Sequence, residues 1–200
     1  MSTTHGPWAP ASLASLERVA QRFASAPFRW WVSGGLALEL WTGCSWRAHG
    51  DIDLGILRAD FPRVAAWLGD HALFVASGGQ LSPFHGQLLS SAAHQNNVWV
   101  RERGANVWLF DLQLGDGDDE SWFYRRDHAI QRLWSTAVLT TESGIPYLAP
   151  DLQLLFKSKN PRDKDTQDAS EIIPRLVSDQ RAFLLATLPR EHPWLGLLTA

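Results

Sequence analysis

The stretch Trp31-Val32-Ser33-Gly34-Gly35-Leu36-Ala37-Leu38, continued by Arg47-Ala48-His49-Gly50-Asp51-Ile52-Asp53-Leu54, sets the reading of the whole chain. Phe28 to Val32 is a compact aromatic and β-branched run, which predicts a strand. Gly34-Gly35 interrupts it, and Leu36 to Trp41 then predicts a short helix ending at Gly43. Ile52 to Leu57 predicts a second strand with Asp51 and Asp53 at its start. Strand side chains alternate between faces, so two aspartates separated by one residue point the same way, about 6.6 Å apart along the chain.

Working outward, Leu13, Leu16, Val19, Ala20 and Phe23 recur at helical spacing behind Ser12, a natural N-cap, and Pro27 ends that helix. Asp60 is expected to cap a helix reaching about Leu68, with Pro62 in its first turn. Leu73 to Ala76 predicts a short strand. Ser77 to Asn97 is rich in Ser, Gly, His, Gln and Asn, and predicts a long loop holding one short strand. Val98 to Arg101 and Val107 to Leu114 predict a hairpin that carries Asp111. An acidic turn from Gly115 to Glu120 follows, then an edge element at Trp122 to Arg125. Pro150 opens a helix to Lys159, and helices over Lys164 to Leu176 and Ser178 to Leu188 complete the chain. The order predicts an α+β fold, a mixed twisted sheet with flanking helices and a helical C-terminal part. The expected organisation is a flexible lead over 1–11, a catalytic domain over 12–148 and a helical part over 149–200.

The bulk composition narrows the partners. With 45% apolar and 20% charged residues, the 200-residue chain can bury a real core. Its net charge of −3 argues against a nucleic-acid backbone as the main partner. Eleven tryptophans must mostly serve as core or cleft walls. The single cysteine, Cys44, excludes an internal disulfide and a cysteine-based zinc site. Without a signal-like lead or an apolar run of membrane-spanning length, the chain is expected to be soluble and cytoplasmic.

The chemistry centres on the acids. A glycine pair lets backbone N–H groups approach a phosphate, and paired carboxylates beside it suit Mg²⁺ shared with phosphate oxygens. Asp111 stands as a lone acid inside the apolar strand Val107-Trp108-Leu109-Phe110-Asp111-Leu112, where an uncompensated charge is costly. A metal, an activated hydroxyl or a buried arginine would compensate it, and Asp51 would equally serve to cap a turn after Gly50. Arg47 is suited to hold triphosphate oxygens, and His49 to orient Asp51 or a metal-bound water. Strand, glycine pair, helix and acidic strand in this order are the parts nucleotidyl transfer needs.

These residues resemble the signature of the aminoglycoside and lincosamide nucleotidyltransferase group, within the polymerase-beta-like nucleotidyltransferase superfamily. Tyr147-Leu148-Ala149-Pro150-Asp151-Leu152-Gln153-Leu154-Leu155-Phe156-Lys157, with Lys164-Asp165, Asp168, Pro174 and Leu176, resembles a C-terminal motif of the same relatives. The resemblance spans Phe28 to Leu176. It implies an enzyme that uses Mg²⁺ and a nucleoside triphosphate, ATP by family default. Asp51 and Asp53 would be metal ligands, and Ser33, Gly34 and Gly35 would face the triphosphate. Asp111 would be the general base or a third ligand. Lys157 and Lys164 would contact phosphate, whereas Asp165 and Asp168 would pair with Lys164 or Arg162.

The acceptor is expected to be a small molecule with a hydroxyl group, aminoglycoside-like by analogy. Asp116, Asp118, Asp119 and Glu120 are either acidic walls for a cationic acceptor or a solvated turn. Trp46, Trp99 or Trp122 would supply stacking surfaces if they are not core. Two other readings compete: nucleotide transfer to protein or RNA, as in toxin–antitoxin relatives, and a non-catalytic nucleotide-binding module.

Overall fold

The computed structural model describes residues 7–199. Helix α1 (Leu13–Phe23) starts where the sequence predicts: the Ser15 N–H donates to Ser12 Oγ and the Ser12 N–H donates to Ser15 Oγ, closing a reciprocal cap. Strand β1 (Trp30–Val32) leads into α2 (Gly34–Thr42), then β2 (Asp53–Leu57), α3 (Phe61–Trp67), β3 (His71–Ser77) and β4 (Gln80–Pro83). Strands β5 (Asn97–Glu102) and β6 (Phe110–Gly117) form the expected hairpin. Next come β7 (Ser121–Phe123), β8 (Gln131–Leu133), α4 (Trp134–Ala137), β9 (Val138–Thr140) and β10 (Pro146–Leu148). Helices α5 (Pro150–Ser158), α6 (Asp163–Ile172), α7 (Ser178–Thr187) and α8 (Leu195–Thr199) follow. Among the described residues no helix is long and apolar enough to cross a membrane.

The sheet runs β4-β3-β5-β6-β2-β1-β10-β9, with β7 and β8 continuing from the end of β6. It is mixed: β2 lies parallel to β6 and β1 parallel to β10, while β1–β2 and β5–β6 are antiparallel. Alternation splits the strand residues between two cores. Val32, Leu54, Ile56, Phe110, Leu112 and Leu114 face α1 and α3, where they meet Leu16, Phe23, Phe61 and Val64. Trp31 faces the other side, which the C-terminal helices cover with Leu152, Leu155, Ile172 and Leu184. Asp53 and Asp111, out of phase with the first set, open onto this second face.

The strand directions explain why one edge of the sheet collects the functional residues. Antiparallel pairing sets the end of β1 beside the start of β2, and the Ser33 N–H donates to the Asp53 carbonyl at 2.9 Å. Parallel pairing sets the starts of β2 and β6 side by side. The end of β10, parallel to β1, delivers α5 to the same edge.

Several expectations need correction. Asp60 stands at the N-cap of α3 but makes no side-chain cap bond; it ends a 3-10 turn over Arg58–Asp60 and pairs with Arg63 at 3.3 Å. Residues 1–6 and Ala200 lie outside the described residues. Residues 7–11, assigned to the flexible lead, instead bridge Trp8 to Trp108 and Ala11 to His49. The short strand expected inside Ser77 to Asn97 is β4, while Ser77 itself ends β3 and Asn97 opens β5.

Candidate active site

Asp53 and Asp111 are direct partners across the parallel β2–β6 pair. Gln113, two residues on from Asp111, shares their face and hydrogen-bonds Asp53. Burial and the neighbouring Asp51 carboxylate push Asp53 up to about 6, against the Gln113 bond and the positive field of Lys157 and Lys164. Asp111 is only 5% exposed. Burial first and Asp53 second push it well above the usual aspartate range, while the Asn97 amide, donating to Oδ2 at 2.6 Å, works the other way. Its Oδ1 is buried without a hydrogen-bond partner among the described residues. Asp51 is half-buried in the loop just before β2.

Gly34 opens α2 with a φ of +69°, a conformation that favours glycine. A Cβ there would overlap Asp53 Oδ2, so the carboxylate rests directly on the backbone turn. The Gly34 N–H donates to Gln153 Oε1 at 2.9 Å, which ties the turn to α5. This N–H is thus engaged, and Gly35 supplies the next amide of the turn. Ser33 is buried at the N-cap without a side-chain cap bond.

Three of the expected phosphate and metal contacts, Arg47, His49 and Lys157, are engaged elsewhere. Arg47 forms a two-pronged pair with Asp168, Nε to Oδ1 at 2.7 Å and Nη2 to Oδ2 at 2.8 Å. His49 Nε2 lies 2.8 Å from Glu39 Oε1 rather than against Asp51. Both side chains fill the space that a Cβ on Gly35 would need. Glu39, buried in α2, also accepts from Ser45 Oγ and the Trp46 N–H. The loop carrying Asp51 is therefore clamped to α2 and α6.

Lys157 bridges Asp165 at 3.0 Å and Asp168 at 2.9 Å. Asp165 also takes Arg162, as expected, whereas Asp168 takes Arg47 and the Trp46 indole instead of Lys164 or Arg162. Burial works to raise both acids, but Arg162 and Lys157 hold Asp165, and Arg47 and Lys157 hold Asp168, below the usual range. Lys164 is exposed on α6, close enough to act on Asp53 and with no ion-pair partner among the described residues.

Three contributors escaped the sequence reading. Gln153 anchors the glycine turn, and Asn97 holds Asp111. Arg125 lies in the field of Asp111 while stacked 5.5 Å over Phe156. Burial, then Arg126, lowers its affinity for its proton, which is the environment of a cation short of an anion. Only the polar type of Gln153 within an apolar helical run could have signalled its role. Of the suggested aromatic walls, Trp122 is core, Trp46 is bound to Asp168, and Trp99 lines a hollow beside Asp111.

The donor set fits a magnesium ion shared with a substrate. Among the described residues no three His, Cys, Asp or Glu side chains gather closely enough to hold a metal alone. Mg²⁺ characteristically takes one or two carboxylates and completes its shell with phosphate oxygens and water. Asp53 and Asp111, both raised and both in the field of Asp51, with an orphaned oxygen on Asp111, have the chemistry that such an ion would need.

The aminoglycoside-2''-adenylyltransferase family model matches residues 15–88, which include the glycine turn, Asp51 and Asp53. Over these residues the chain is similar to that family. Its fold is shared with the lincosamide antibiotic adenylyltransferase LnuA, solved with lincomycin bound: 16% identity and TM-score 0.54, covering 80% of this chain and 95% of that one. The antibiotic-resistance factor ANT(2'')-Ia aligns at 11% identity and TM-score 0.53, over 86% of this chain and 88% of its own. An antigenic nucleotidyltransferase-like protein from Paracoccidioides brasiliensis aligns at 19% and 0.50, over 96% and 95%. No curated protein matches the chain. These identities establish the fold, the polymerase-beta-like nucleotidyltransferase type, and leave the acceptor to be argued from the site.

Proposed function

We propose that this chain is a Mg²⁺-dependent nucleotidyltransferase that moves a nucleoside monophosphate, from ATP, to a hydroxyl of a small molecule. The in-register pair of Asp53 and Asp111 beside the Gly34 turn carries the reading. Its support is electrostatic: a buried and a half-buried carboxylate held side by side without a direct cation are costly unless a ligand compensates them. Asp51 and Asp53 would hold the metal, which would neutralise charge on the triphosphate and polarise the α-phosphorus.

Asp111, beside an open hollow, would accept the acceptor's proton as its oxygen attacks the α-phosphorus. A new P–O bond forms there, the bond to the β-phosphate bridging oxygen breaks, and pyrophosphate departs with that electron pair. The Gly35 amide, exposed Lys164 and Arg125 are the cationic or donor groups suited to the triphosphate, with Lys157 adding its field from behind Asp165 and Asp168. Positioning and charge neutralisation supply the rate, as expected for a transfer without a covalent intermediate. The catalytic unit would run over 12–148, with 149–200 packed on it and lending Gln153, Lys157 and Lys164. The protein would work in the cytoplasm, where ATP and Mg²⁺ are available.

Titrating the purified protein with ATP, with and without Mg²⁺, tests the first half of this reading. Metal-dependent binding is expected, and its absence would remove the enzyme reading. Pyrophosphate release with lincomycin or an aminoglycoside as acceptor then tests the antibiotic-modifying half.

A further inference from the structure

Behind the row formed by Asp53 and Asp111 the sheet carries a second row of matched side chains. Asn97 and Gln113 are direct cross-strand partners on β5 and β6. Gln113 lies two residues on from Asp111, so the four side chains share one face. Each amide serves one acid: Gln113 hydrogen-bonds Asp53, and Asn97 Nδ2 donates to Asp111 Oδ2 at 2.6 Å. Toward an ionised carboxylate only an N–H or O–H can make such a bond, so amides suit these two places and further acids do not.

Electrostatics gives the Asn97 bond its importance. Asp53 and Asp51 act on Asp111 as like charges, and Arg125 acts as the opposite one. Like charges directly opposite each other in a sheet repel, which favours turning the Asp111 carboxylate away from Asp53. Its Oδ1 has no partner, so among the described residues the Asn97 amide is the one hydrogen-bond donor holding this carboxylate. A hydrogen bond to a charged acceptor at this distance belongs to the strong class.

Asn97 is itself fixed from behind. Arg58 donates from Nη1 to the Gln95 carbonyl at 2.9 Å and from Nη2 to Asn96 Oδ1 at 2.6 Å. Its Nε pairs with Asp116 of β6 at 3.3 Å, and the Leu114 N–H donates to the Asn96 carbonyl at 2.8 Å. The residues leading into Asn97 are thus tied to the strand on which Asp111 stands, so the donor and the acid keep a fixed spacing.

We propose that Asn97 is a positioning residue for nucleotidyl transfer: it holds the Asp111 carboxylate beside Asp53, in the geometry from which Asp111 takes the acceptor's proton. The inference rests on the transferase reading above for the role of Asp111, and on the hydrogen bond for the part of Asn97. Position 97 then needs an N–H donor, and not only a side chain of that size.

Pyrophosphate release from ATP and Mg²⁺ tests it in the full chain, with lincomycin, with kanamycin and with water alone as acceptor. Asn97→Leu fills a similar space without a donor and should lower turnover at least tenfold. The KM for ATP, and the calorimetric affinity for the non-transferable analogue AMPCPP, should stay within threefold, because the lost interaction acts on the proton-accepting group. Asn97→Gln keeps the donor and should recover part of the loss; the isosteric Asn97→Asp adds a further acid and should be the least active. Parental turnover in Asn97→Leu, Asn97→Gln no better than Asn97→Leu, or a larger loss of AMPCPP affinity would overturn the proposal. Nitrogen-15 spectra read the contact without turnover, should a variant fail to fold. One Asn97 side-chain N–H proton should lie downfield of the other side-chain amides and move back in Asp111→Ala; an unshifted proton would overturn the proposal. A parent chain that releases no pyrophosphate with any acceptor would sink the transferase reading and this role with it. An active parent matched by Asn97→Leu would sink this role alone.

Discussion

Two groups of aspartates, both near the N-terminal end of β2, behave in opposite ways. Asp165 and Asp168 are almost sealed from solvent, yet each sits against cations: Arg162 and Lys157 for one, Arg47 and Lys157 for the other. Their affinity for protons is lowered despite burial. Asp53 and Asp111 have each other, Asp51 and neutral amides as nearest partners, and their affinity is raised. The same side chain is structural where the chain supplies the counter-charge and chemically available where it does not. The paired group clamps the loop that presents the unpaired one.

The largest expected effect separates the two groups by activity. Asp53→Asn should reduce transfer at least ~10³-fold, about 4 kcal/mol of barrier, while the fold survives. Turnover near normal in the purified variant would erase the distinction. Next, Asp168→Ala should cost about 3 to 5 kcal/mol of unfolding free energy in urea, because Arg47 and Lys157 are left buried with an anion missing. Asp111→Asn should cost far less, since it removes a like-charge repulsion; comparable losses would show that both groups are structural.

The pH dependence of stability in metal-free protein should also divide. Asp53 titrates at about 6 in the folded chain against an ordinary 3.8, so the folded state holds the extra proton. Stability from this side is full below the ordinary value and declines as pH rises through about 6, with Asp111 extending the decline. Asp165 and Asp168 contribute the reverse: stability present above about 4 and lost as pH falls below it. Thermal midpoints across pH 3 to 8 for the parent and Asp53→Asn check this, and Mg²⁺ should flatten the high-pH decline in the parent alone. The smallest effect distinguishes two lysines. Lys164→Ala should change stability by no more than about 0.5 kcal/mol, the usual range for an exposed site, while weakening ATP binding several-fold. Lys157→Ala should destabilise measurably, and equal responses would mean that the field on Asp53 has one source rather than two.

Much of this arrangement was legible in the residue order. The Ser12 cap, the break at Gly34 and the start of α5 at Pro150 are local consequences of backbone sterics. The short elements β8, α4 and β9 were not legible, because three- and four-residue segments carry no period. The pairing of Asp168 was misjudged for a related reason: nearby Lys164 and Arg162 suggested local partners, whereas its main partner, Arg47, is distant in the chain. Arg47 and His49 looked available in a polar loop, and folding turned both inward.

The sequence by itself determined the strand, glycine turn, helix and acidic strand, since each depends on a few neighbouring residues. It also determined that Asp111 needed compensation. Tertiary structure alone decided which charges would be neutralised: strand direction brought Asp53 and Asp111 into register, while helix packing delivered Arg47 and Lys157 to Asp168. Electrostatic partnership depends on distance through space, and only the folded chain sets that distance.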